Sequence, residues 1–137
     1  MSAPARVPTA VAVALDAVAV LVFATVGRRS HAEGVAVVGV LRTAWPFLAG
    51  AAAGWLVTRS RRVPPGSLAG GLPVWLGALL LGMLLRVVTG AGTAASFVVV
   101  AAVALAVLLL GWRLVWWLMA RVLPARQRPA EAAGRRP

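Results

Sequence analysis

Four long apolar runs, separated by short polar links, leave this chain few ways to fold. A helix crossing about 30 Å of hydrocarbon takes about 20 predominantly apolar residues. Runs of that length cover roughly 9–26, 35–57, 68–88 and 94–119. The middle of the last, SFVVVAAVALAVLLLGW, is the most hydrophobic stretch of the chain. A closed barrel also satisfies every backbone group in lipid, but it needs alternating strands of about ten residues, and these runs do not alternate. The expected fold is therefore all-α, an integral membrane bundle of four transmembrane helices at 9–119. A short N-terminal segment (1–8) precedes it, and a basic tail (120–137) follows, expected to be disordered from its Pro, Arg and Glu content.

Composition agrees. Of 137 residues, 61% are hydrophobic and 12% charged, against about 25% charged in a typical soluble domain. So few polar side chains do not cover a water-soluble globule, whereas lipid solvates an apolar exterior. Lys, Ile, Asn and Tyr, whose codons are AT-rich, do not occur, and all 14 basic side chains are Arg. That usage points to a GC-rich bacterial genome and makes the preference for Arg partly genomic.

The net charge of +11 does not imply a nucleic-acid partner. Such proteins gather basic residues on one face of a soluble fold or in a tail, and here the arginines fall between the apolar runs. With the N-terminus inside, the cytoplasmic side holds Arg6, Arg59, Arg61, Arg62, Arg121, Arg126, Arg128, Arg135 and Arg136; the other side holds Arg28 and Arg29. Nine against two orients the chain with both termini cytoplasmic in the cell membrane of a bacterium. Those arginines are expected to meet anionic headgroups of membrane lipids. Cleavage of the first run as a signal peptide after Ala17-Val-Ala19 is set aside, because Asp16 interrupts that run and VLVFA continues it.

No enzyme chemistry and no cofactor are expected. Without Cys there is no disulfide or thiolate site. His31-Ala-Glu33 offers two metal ligands and no third. A Ser-His-Asp arrangement fails because Asp16 lies in a helix while Ser30 and His31 are read as loop.

The informative residues are the charges within the runs. Asp16 is near the middle of the first helix, Arg42 about two turns into the second, and Arg86 about one turn from the end of the third. Arg113, flanked by Trp112, Trp116 and Trp117, is read as an interfacial residue that snorkels to water. A charge at a helix centre costs about 2.5–3.5 kcal/mol on an insertion scale. The small residues of LAGAAAGWLV in helix 2 offset little of that, so helix 2 is expected to be central. Asp16 is then expected to pair with Arg42, or second with Arg86, in a buried charge cluster in the outer half of the bundle. The cluster is read either as a functional site or as a polar pin fixing helix register.

Small residues indicate how the helices meet. Gly50 and Gly54 form a GxxxG pattern near Pro46, and Gly77 and Gly82 give helix 3 a smooth patch. Thr89-Gly-Ala-Gly-Thr93 precedes helix 4, with Thr93 as expected N-cap. Arg86, Gly90, Gly92 and Thr93 thus make a candidate anion site, weighed against a plain capped hairpin.

LDAVAVLVFATVGRRSH, LRTAWPFLAGAAAGWL, LLLGMLLRVVTGAGTAASFVVV and LLLGWR resemble the domain of unknown function (DUF) 3054 family of small bacterial membrane proteins. The resemblance runs from Leu15 to Arg113. It implies a membrane protein and carries no activity or site residue. Two functions stay open: a non-enzymatic protein acting by helix association, including with copies of itself, and a small transporter or anion- or headgroup-binding protein using Asp16, Arg42 and Arg86.

Overall fold

A computed structural model of the chain describes residues 6–30 and 36–123. Among them are four helices and no strand: α1 (Thr9–Ser30), α2 (Val37–Ser60), α3 (Leu68–Val88) and α4 (Ala95–Val122). Each is long and apolar enough to cross a membrane. The expected disordered tail from 124 onward and the His31–Glu33 pair lie outside the described residues.

Three helices run longer than the apolar runs alone indicate. α1 takes in Gly27, Arg28, Arg29 and Ser30, and its last-turn arginines complement a helix C-terminus. α2 runs three residues further, to Ser60, and closes with a Schellman motif. There the Val63 N–H donates to the Thr58 carbonyl at 3.3 Å and the Arg62 N–H to the Arg59 carbonyl at 3.0 Å. The residue held left-handed in this motif is Arg62, at φ 54°, where glycine is usual. α3 is capped at its N-terminus by Ser67, whose Oγ accepts from the Gly70 N–H at 3.0 Å. α4 carries on through Arg121 and Val122, into the segment expected to be tail.

The helices form a ring in chain order, each packing on the next and α4 closing back onto α1. The tightest seam joins α2 and α3. A Cβ on Gly50 would strike the Gly77 carbonyl, one on Gly77 the Gly50 carbonyl, and one on Gly54 the Pro73 carbonyl. Gly82 gives room to the Phe47 ring, whose Cδ1 would stand 2.8 Å from an added Cβ. These glycines let two backbones come close, and the close approach is made within the chain. Phe47 is fully buried, meets Phe23 edge-on at 5.1 Å between centroids, and joins Val20, Val74, Leu105 and Leu109 in the core. Trp75 ties α3 to α4 by donating to the Ala102 carbonyl at 3.0 Å.

The expectation of a central helix 2 is corrected. Within the most apolar window of each helix, 33% of residues are buried in both α1 and α2, 28% in α3 and 17% in α4. A four-membered ring has no central member, and Leu80, Leu84, Val99, Val103 and Val107 stand exposed around it, as a lipid-facing exterior requires.

Candidate functional site: a buried ion pair beneath an arginine-lined cleft

Antiparallel helices bring together residues equally far from a shared end. Asp16 lies seven residues after Thr9, and Arg113 nine residues before Val122. At 1.5 Å per residue both sit about 10–14 Å in from the end of the bundle where α1 begins and α4 finishes.

There they form a bidentate pair. Arg113 Nη1 stands 2.6 Å from Asp16 Oδ1, and Nη2 stands 2.8 Å from Oδ2. Asp16 is 0% and Arg113 1% exposed. Two indoles complete the carboxylate: Trp55 Nε1 donates to Oδ2 and Trp112 Nε1 to Oδ1, each at 3.0 Å. Arg113 is equally engaged. Its Nε donates to the Pro65 carbonyl at 3.0 Å, its Nη1 also to the Leu109 carbonyl at 2.6 Å, and its guanidinium lies 4.3 Å from the Trp112 ring centroid. Among the described residues no buried side-chain nitrogen or oxygen lacks a partner. Two desolvated charges hold in such a place when geometry is good and the remaining donors and acceptors are satisfied.

The neighbouring backbone is shaped for this pair. Gly71 in the first turn of α3 leaves room for the arginine, since a Cβ there would lie 2.5 Å from Arg113 Cδ. Thr58 Oγ1 donates to the Gly70 carbonyl at 2.7 Å, binding the end of α2 to the start of α3. Pro64 and Pro65 break the chain between them, and Pro65 presents the carbonyl that Arg113 Nε meets.

Above the pair opens a cleft of about 1120 Å³. Asp16, Arg113 and Trp55 are among its lining residues, with Arg6, Arg59 and Arg62 as its other charged ones. A second, apolar groove of about 250 Å³, lined by Val11, Leu15, Trp112, Val115 and Met119, lies between α1 and α4. The two adjoin, sharing Val7, Pro8 and Trp116.

The charge cluster expected from sequence is therefore corrected. Asp16 is buried, but its partner is Arg113, and Arg42 and Arg86 belong to the opposite end. Arg42 is exposed. It lies five residues from the start of α2, while Asp16 lies fourteen from the end of α1, which separates them by about 13 Å along the bundle. Arg86 donates to the Gly92 carbonyl from Nε at 3.2 Å and to the Ala91 carbonyl from Nη2 at 3.0 Å, with Phe97 beneath it at 4.5 Å.

That geometry also corrects the candidate anion site at Arg86, Gly90, Gly92 and Thr93. The turn shows Arg86 its carbonyls, so its guanidinium serves the turn. Gly90 and Gly92 take φ values of +70° and +76°, which suits the tight-hairpin reading. The N-cap position falls on Ala94, with no side-chain cap, and not on Thr93. Arg113, Trp55 and Trp112 are the site residues that sequence reasoning missed. Counting each candidate from a shared helix end would have pointed to Arg113.

A family model described as a protein of unknown function (DUF3054) matches residues 13–116. The chain belongs to that family. The match contains Asp16, Trp55, Trp112 and Arg113. No curated protein and no solved structure matches the chain.

Proposed function

We propose that this DUF3054 family member is a non-enzymatic multi-pass protein of the bacterial cell membrane, with both termini cytoplasmic, that acts by association within the membrane. The Asp16–Arg113 pair is its structural pin. The observation supporting this is saturation: four N–H donors reach the two oxygens of Asp16, and Arg113 spends its remaining contacts on the Pro65 and Leu109 carbonyls. A carboxylate whose two oxygens already accept from four donors has no open face to offer a transported cation. The glycine seam between α2 and α3 is used inside the chain, so association falls to outward faces. α4, the helix with the smallest buried share, offers the largest.

The transporter reading rests on an ionisable group that changes partner during a cycle. Ion flux tests it. Proteoliposomes holding the protein should pass protons, small cations and small anions no faster than empty vesicles. A flux carried by the parent and removed by Asp16→Asn in a variant that unfolds at the parent's temperature would overturn the pin.

A further inference from the structure

The cleft and groove at the terminal end of the bundle are unlike each other, and they adjoin at Val7, Pro8 and Trp116. Besides Arg113, three cationic side chains line the cleft: Arg6 ahead of α1, Arg59 in the last turn of α2, and Arg62 just beyond it. The only carboxylate among the described residues, Asp16, is taken by Arg113. Helix dipoles account for two of the arginines, because Arg59 and Arg62 lie at a helix C-terminus. They do not account for Arg6, which precedes the N-terminus of α1, where a cation is unfavourable and the first turn holds no acid. Among the described residues, then, no carboxylate is left to offset the positive charge of the cleft, which lies at the depth of the helix ends, headgroup depth in a bilayer. The adjoining groove between α1 and α4 is lined by apolar and aromatic side chains alone.

We propose that cleft and groove together bind one anionic phospholipid, its phosphate among Arg6, Arg59 and Arg62 and one acyl chain along the groove. The proposal rests on the reading of a protein that associates within the membrane, and it names the associate. Charge argues for lipid over the chain's own C-terminal segment, since residues 124–137 hold four arginines and one glutamate. The groove argues for lipid over a free phosphate, which has nothing to place there. Arg62 gives a further sign. A non-glycine residue in the left-handed region carries about 1–2 kcal/mol of strain, and here it puts a guanidinium at the cleft where glycine would close the helix without strain.

The test titrates the full-length protein in detergent with short-chain phosphatidylglycerol, phosphatidylcholine and inorganic phosphate. Binding is read by thermal unfolding, and stoichiometry by native mass spectrometry. Phosphatidylglycerol should bind one per chain and more tightly than the other two. At about 1 kcal/mol per arginine, the pair Arg59→Gln with Arg62→Gln should weaken it about thirtyfold. Arg61→Gln, an exposed neighbour outside the cleft, should leave it unchanged. Val11→Trp, which fills the groove without touching charge, should weaken it too. Arg62→Gly separates strain from binding: it should raise the unfolding temperature without lipid and lower lipid affinity. Equal binding of phosphatidylcholine, phosphate as tight as lipid, or an Arg61→Gln loss matching that of the cleft pair would each overturn the proposal. The pin is scored on stability in detergent without added lipid and on ion flux, neither of which reads phosphatidylglycerol affinity, so either reading can fail while the other stands.

Discussion

Arg113 and Arg42 are the same residue type in the same kind of helix, at opposite ends of one bundle, and their situations share almost nothing. Arg113 is 1% exposed and bound to Asp16, Pro65 and Leu109; Arg42 is exposed one and a half turns into α2. The difference is register. In an up-and-down ring, distance from a shared end decides which residues meet, and Arg113 shares a level with Asp16 while Arg42 does not. The two ends of the protein follow suit. One is organised around a desolvated ion pair with indole donors, and the other around an arginine that closes a glycine-rich turn.

The largest contrast should come from removing one charge. Asp16→Asn or Arg113→Gln leaves the other partner buried and unpaired, a change of about 3–5 kcal/mol. Arg42→Gln should stay within about 0.5 kcal/mol of the parent, both read from chemical or thermal unfolding in detergent. Next come changes that keep the pair and disturb its surroundings. Trp55→Phe removes one charge-assisted donor from Asp16 and should destabilise by about 1.5–3 kcal/mol. Gly71→Ala forces a shift of an arginine that has nowhere else to bond, and overpacking of that kind costs about 1–3 kcal/mol. At the opposite end Arg86→Gln loses exposed contacts to the Ala91 and Gly92 carbonyls and the Phe97 face, an effect of about 1 kcal/mol. If Arg86→Gln proves as damaging as Trp55→Phe, the two ends are more alike than their geometry indicates.

The four helices were legible because apolar length is a strong signal, and their ends were less so because helices run on into flanking polar residues. Arg28 and Arg29 belong to α1, and Arg121 to α4, although none is apolar. The acid half of the site was legible as well: Asp16 is an obvious interruption of an apolar run. Its partner carries a misleading signal. Arg113 sits among three tryptophans toward the end of the last apolar run, the usual pattern of an interfacial arginine, and the depth of Asp16 shows only when it is counted from the helix end that α1 and α4 share. The indole of Trp112 reads as part of an interfacial belt and that of Trp55 carries no polar signal, yet both turn inward to the carboxylate. The Arg62 conformation had no sequence signal at all, because the Schellman position normally announces itself as glycine.

The central claim is that Asp16 is held by Arg113. Two double-mutant cycles measured side by side test it most directly, Asp16→Asn with Arg113→Gln and Asp16→Asn with Arg42→Gln, scored by unfolding free energy in detergent. The structure predicts a coupling of about 2 kcal/mol or more in the first cycle and less than about 0.5 kcal/mol in the second. Additive losses in the first cycle, or the larger coupling in the second, would contradict it.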